Sequence, residues 1–140
     1  MPTRTLVSLL LVAGLAIGFV SASQSAGNTP PPEPKVTPLM TQPLPEFPGK
    51  EALMLLVEYP PGAVEHKHRH DAHAFVYVLE GNIVLGVEGK PEVPLGPGQT
   101  FHEGTNDIHT VGRNASQNKP AKFVVTLVKD IDKPALIPVE

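Results

Sequence analysis

The sequence predicts an all-β domain, a small sandwich or barrel. Three observations carry that expectation. From Lys50 onward, short runs rich in β-branched and aromatic residues follow one another closely. Clusters of Gly, Pro, Asn and Asp separate them, which is the punctuation of strands joined by tight turns. No run carries a helical hydrophobic period. No repeat of solenoid or propeller length is visible either.

The elements follow in order. Arg4 supplies a positive start, Leu6 to Val20 is an uncharged apolar run, and Val20-Ser21-Ala22 is a small-residue cleavage site. Residues 1–22 therefore read as a signal peptide, with Ser23 the expected mature N-terminus and a periplasmic or secreted protein the result. The run is shorter than the roughly 20 residues that a membrane span needs, and no Cys follows it to take a lipid. No membrane association is expected after cleavage. Residues 23–48 are rich in Pro, Ser, Gln and Thr and include Pro30-Pro31-Pro32, so they read as an extended linker. Its later part, Val36 to Phe47, carries Leu39, Met40, Leu44 and Phe47, which could lie against the domain or a partner subunit.

A barrel is expected over residues 49–130. Ala52 to Tyr59 is one run, ended by Pro60-Pro61-Gly62. His73 to Leu79 ends at Glu80-Gly81-Asn82, and Ile83 to Val87 ends at Glu88-Gly89-Lys90. Pro91 to Leu95 ends at Gly96-Pro97-Gly98. Gln99 to Glu103 and Ile108 to Val111 flank Gly104-Thr105-Asn106-Asp107, and Ala121 to Val128 is the last strong run. Residues 131–140 read as a tail packed along a surface.

The formal net charge of −3 gives no reason to expect nucleic acid or an anionic membrane as a partner. With no cysteine, an exported fold has no disulfide. A metal and a subunit interface are the remaining staples for so small a core. A homodimer covering an outer sheet face is expected. Phe75, Tyr77 and Leu79 share one face of their run and Ala74, Val76 and Val78 the other, so one set lines the interior and the other needs a cover.

All six histidines fall between His66 and His109, four of them in the run His66-Lys67-His68-Arg69-His70-Asp71-Ala72-His73. A strand puts residues i and i+2 on one face, so His68 and His70 present two imidazoles side by side. Neutral imidazole suits zinc, copper, iron and nickel, and manganese in mixed sites. The bland alternative is a solvated basic loop.

These residues resemble the cupin superfamily. Its first motif is Gly, five residues, His-x-His, three or four residues, Glu, six residues, Gly. Here Gly62 precedes His68-Arg69-His70, and Tyr77-Val78-Leu79-Glu80-Gly81 closes the motif. Its second motif appears as Gly98, then Gly104-Thr105-Asn106, then His109 and Asn114, with Gly104 for Pro and Asn106 for Gly. The resemblance implies a small jelly-roll barrel, a double-stranded β-helix, with a metal in its mouth. His68, His70 and His109 would be the ligands of one divalent transition metal, Fe, Mn, Ni, Cu or Zn.

The family's ligand Glu is replaced by Ala74. Three explanations stay open. The site is a genuine three-His site; or another residue supplies the fourth ligand; or the metal is lost and only an organic ligand binds. For the second, Glu103 is the first candidate, because a hairpin between its strand and that of His109 would put the two level on one face. His73 is a weaker candidate that needs a bulge to turn inward. If Glu103 does not bind metal, it is the carboxylate expected to act as general base. Metal binding should weaken as pH falls through about 6.5, where free imidazole protonates.

His66 reads as a rim residue, His102 as facing away from Glu103, and Tyr77 as an interface aromatic. Asn114-Ala115-Ser116 matches a glycosylation acceptor, but Asn114 also ends the second motif and is read as structural. The expected function is an exported, metal-dependent enzyme of the oxygenase type acting on a small chelating organic substrate. The alternative is a non-catalytic module that binds a small molecule or captures metal.

Overall fold

The computed structural model describes residues 29–140; the expected signal peptide and mature N-terminus lie outside them. Ten strands form among the described residues, without a helix: β1 Lys35–Pro43, β2 Lys50–Tyr59, β3 His68–Arg69, β4 Ala72–Glu80, β5 Ile83–Val87, β6 Val93–Leu95, β7 Thr100–Glu103, β8 Ile108–Asn114, β9 Ala121–Asp130 and β10 Ile137–Pro138. They make two five-stranded antiparallel sheets, ordered β1-β2-β9-β4-β7 and β10-β3-β8-β5-β6. Two facing sheets exchanging strands give the expected small jelly roll.

Alternation decides which face is inside. In β4, Ala72, Ala74, Val76 and Val78 are buried while His73, Phe75, Tyr77 and Leu79 are exposed. In β9, Ala121, Phe123, Val125 and Leu127 face the same interior. Tyr59 and Phe123 meet edge to face there, 4.9 Å between ring centroids at 81°. Ile83 and Leu85 close the core from the second sheet. Each such fully buried side chain contributes about 1.5–3 kcal/mol of transfer free energy.

The turn glycine of the first motif is obligatory. Gly81 has φ 70°, and a Cβ on it would come within 2.5 Å of the Pro120 carbonyl oxygen. Asn114 is the other fixed point. Its amide nitrogen donates to the carbonyls of Tyr59, Pro60 and Lys119, and its Oδ1 accepts from the Ser116 amide. It is 3% exposed, so it clamps three loops and offers nothing to a glycan.

The linker expectation needs correction from Lys35 on. Residues 35–43 are an edge strand, paired with β2 and shifted in register between Pro38 and Met40. Prolines are tolerated because an edge strand has one side free of the ladder and the irregularity absorbs a missing donor. Lys35 also pairs with Glu58, 3.3 Å away. The tail is tied down as well: β10 pairs with β3, and the Val139 amide donates to the Lys67 carbonyl.

Candidate metal centre

His68 and His109 are direct partners across β3 and β8. His70 follows two residues on, and its ring reaches the same point. His68 Nε2 lies 3.2 Å from His70 Nε2 and 3.3 Å from His109 Nδ1. The other nitrogen of each ring is committed to the backbone. His68 Nδ1 donates to the His66 carbonyl at 2.8 Å, His70 Nδ1 to that of Ala135, and His109 Nε2 to that of Val111.

That pattern fixes the tautomers. A neutral imidazole has one N–H, and in each ring the carbonyl takes it. The three converging nitrogens therefore carry lone pairs and no proton. Burial, the first cause in each case, pushes all three pKa values down, that of His109 to about 4. Imidazolium protons do not fill the gap at neutral pH. Three unprotonated lone pairs at such range repel one another unless a cation joins them. Carbonyl-tethered imidazoles are the second layer that metal sites use. The three residues can hold one metal ion.

Glu103 completes the arrangement. It is 2% exposed. Its Oε1 is 3.5 Å from His109 Nδ1 and its Oε2 is 3.7 Å from His70 Nε2. Oε2 is buried without a hydrogen-bond partner. Burial raises the Glu103 pKa to about 7, with the charges of Glu65 and Asp107 adding to it. An orphaned carboxylate oxygen beside three lone pairs is a donor set suited to a divalent transition ion.

The route by which Glu103 arrives differs from the sequence expectation. β7 does not pair with the strand of His109; the two lie in different sheets. Glu103 is instead the direct partner of Ala74 across β4 and β7. Position 74 carries no carboxylate, and the residue facing it carries one on the same inward side. Ala74, 1% exposed, leaves the room.

His73 is not at the centre. β4 has no bulge at that point, so His73 faces outward. Its Nδ1 lies 3.1 Å from His102 Nε2, with the rings stacked 15° apart. His66 is at the rim, exposed and 3.3 Å from Glu33. Tyr77 is half exposed on the outer face.

Two contributors escaped the sequence reading. Glu65 lies 3.7 Å from His109 Nδ1 through Oε2, with its side chain 18% exposed. Burial raises its pKa, opposed by Tyr59 and by the charge of His70. It falls outside both motifs' ligand slots, and only its place three residues before His68 hinted at it. The tail was the other: Ala135 acts through a backbone carbonyl, which no residue type reveals.

A cavity of about 140 Å³ opens beside the imidazoles, walled by Leu55, Val57, Val76, Leu85, Phe123 and Val125. A second hollow outside it shares Val36, Glu65, His68 and Leu136 and is rimmed by Glu33, His66 and Lys67. The centre is thus reached from a largely apolar vestibule with a charged rim, between the two terminal segments.

Residues 55–127 match the family model described as Cupin domain. The chain belongs to the cupin family. No curated protein sequence matches it. Solved structures share the cupin fold. The DMSP lyase DddQ from Ruegeria pomeroyi DSS-3 is 24% identical, with TM-score 0.56, over 63% of this chain and 43% of that one. An oxalate oxidase in complex with the substrate analogue glycolate is 22% identical, with TM-score 0.58, over 76% and 55%. A cupin-like protein from Thermotoga maritima is 18% identical, with TM-score 0.60, over 76% and 75%. The chain spans less than half of the lyase. At these identities the likeness is one of fold.

Proposed function

We propose that this cupin is an exported, metal-dependent enzyme of the oxygenase type. It holds one divalent transition ion through His68, His70, His109 and Glu103 and acts on a small chelating organic substrate. The observation that carries the reading is the convergence of three proton-free imidazole nitrogens, two of them within 3.7 Å of the buried Glu103 carboxylate. On an octahedral ion, four ligands from the chain leave positions open for a substrate.

When bound, the ion supplies a Lewis acid for a coordinated carbonyl or a redox centre for chemistry with O₂. The chain does the rest. His66, Ala135 and Val111 carbonyls hold the imidazoles in the binding tautomer. Leu55, Val57, Val76, Leu85, Phe123 and Val125 exclude water and seat the substrate's apolar part. The diversity of cupin neighbours, a lyase and an oxidase among them, supports enzyme chemistry at this fold without naming the substrate. Export rests on the N-terminal apolar run, and a homodimer on the exposed outer face of β4, where Phe75 and Tyr77 are each 49% exposed.

Metal analysis of protein purified from its native compartment, followed by oxygen uptake with catechol and 1,3-diketone substrates, tests the proposal. One ion per chain with substrate-dependent uptake is expected. Absence of metal from the native protein would overturn it, and metal without turnover of any substrate would reduce it to a binding module. Sedimentation of wild type and Phe75→Glu tests the dimer; a wild-type monomer at high concentration would exclude it.

A further inference from the structure

The centre holds a second carboxylate that no ligand slot uses. Glu65 is built into place. Its amide donates to the Gly112 carbonyl at 2.7 Å, and Val64 bridges to Arg113, so the residue is fastened to β8. Gly112 is a glycine for a visible reason: a Cβ there would lie 2.4 Å from Glu65 Oε2 and 3.1 Å from the Tyr59 hydroxyl. The backbone has been cleared for that carboxylate. The Tyr59 hydroxyl beside it is buried without a well-formed partner. Glu65 also lines both the inner cavity and the vestibule, so it stands where a ligand must pass and settle.

Three features then restrict the ligand. The first is charge. Two carboxylates balance a divalent ion, and neither Lys nor Arg is among the residues lining the cavity. An anionic head would find no further cation and two negative neighbours. The second is hydrogen bonding. Glu65 Oε2, 3.7 Å from a converging imidazole nitrogen, accepts but does not donate when ionised. A head held there presents a proton. The third is size. The cavity of about 140 Å³ is close to the roughly 150 Å³ apolar cavity that takes benzene.

We infer that the ligand of this centre is a neutral hydroxy-carbonyl compound of about six heavy atoms, its hydroxyl donating to Glu65 and its alkyl part in the apolar pocket. This rests on the metal reading above and adds the role of Glu65 as a substrate-positioning acceptor outside the ligand set.

The test uses protein loaded with cobalt(II), whose visible spectrum reports both ion binding and ligand entry. Three probes of matched size are titrated: 3-hydroxybutan-2-one, 3-methylbutan-2-one, in which methyl replaces hydroxyl, and lactate, which is anionic. Wild type should bind the hydroxyketone at least about tenfold more tightly than either of the others, the range expected of a hydrogen bond to a charged group. Glu65→Ala should keep its cobalt spectrum, lose about tenfold of the hydroxyketone's preference over the ketone, and bind lactate more tightly than wild type does. Glu65→Gln keeps the shape and a neutral acceptor, and should lose a smaller factor; it decides the matter if the alanine variant does not fold. An unchanged preference in the variants, or a wild type that favours lactate, would overturn the inference. Loss of cobalt from Glu65→Ala or Glu65→Gln would do so too, by making Glu65 a ligand. Failure of wild type to bind cobalt is a separate result and overturns the metal reading itself.

Discussion

Two groups of histidines are carried by different sheets, the inner one on and beside β3 and β8 and the outer one on β4 and β7. His68, His70 and His109 converge inside the barrel, and His73 and His102 meet outside it. The distances between ring nitrogens are alike, 3.2 and 3.3 Å within and 3.1 Å without. The surroundings are not. Each inner ring is tethered to a carbonyl through its second nitrogen and is buried enough to stay neutral. The outer rings are exposed, and one can donate its proton to the other. Proximity alone therefore does not make a site. The tether decides the tautomer, burial decides the charge, and only both together leave lone pairs that need a cation.

The largest expected effect breaks the inner group. His68→Ala, His70→Ala or His109→Ala should each lower metal affinity by at least about a hundredfold, more than loss of a supporting partner does. Equilibrium dialysis with metal analysis reads this directly. A His109→Ala protein that keeps wild-type metal would break the comparison at its root.

Glu103→Gln should have the next effect, about a ten- to hundredfold loss of affinity with an altered coordination spectrum. Because Ala74 faces Glu103 across the strands, the double variant Ala74→Glu/Glu103→Gln returns a carboxylate to the same space and should recover much of that loss. The single change Ala74→Glu puts two carboxylates there and should destabilise the metal-free protein. No recovery in the double variant would show that the strand supplying the carboxylate matters.

Much of this was legible in the residues. Alternation in β4 separated Ala74, Val76 and Val78 from Phe75, Tyr77 and Leu79, because a strand with one buried face must show that period, and the structure puts the first set inside. The two motifs named the three imidazoles. Glu103 does lie beside the imidazoles, but it arrives by a different route from the one expected. Sequence proximity suggested a hairpin with the strand of His109, whereas the chain crosses from one sheet to the other between β7 and β8. β1 was hidden because an edge strand with both faces largely exposed, Thr37 alone being half-buried, has no alternation to display. Ala135 and Gly112 act through a carbonyl and through a missing side chain, and neither has a signature in composition.

The pH dependence sharpens the contrast further. The sequence pointed to loss of metal near the ordinary imidazole value of 6.5, but burial holds His109 neutral to about 4 while raising Glu103 to about 7. The carboxylate, not the imidazoles, should limit binding. Affinity should rise as pH rises through about 7 in wild type, and Glu103→Gln should flatten that limb. Stability follows with opposite signs. Glu103 has a folded value above its ordinary 4.5, so its contribution is complete below 4.5 and is lost as pH rises through about 7. His109 has a folded value below 6.5, so its contribution is complete above 6.5 and is lost as pH falls through about 4. Metal-free protein should melt lower at about pH 8.5 than at about pH 6.5, where the imidazole contribution is already complete, and metal should reverse that order. A metal-free melting temperature that does not fall above pH 7 would count against a buried, unpaired Glu103.

The smallest expected effect belongs to the outer pair, and it is the control on the whole comparison. His73→Ala and His102→Ala remove exposed rings that touch each other and Phe75. Substitutions at such surface positions change stability by about 0.5 kcal/mol or less. Neither should change the number of ions bound per chain, because among the described residues neither ring has a carbonyl tether or a carboxylate within contact distance to hold an ion against water. A two-imidazole surface pair does take up ions at high concentration, so the measurement belongs at metal equal to protein, where the buried group with more converging donors should fill first. If either variant loses metal under that condition, ring proximity was sufficient after all. The tether and the burial of the inner group would then explain its stability and not its chemistry.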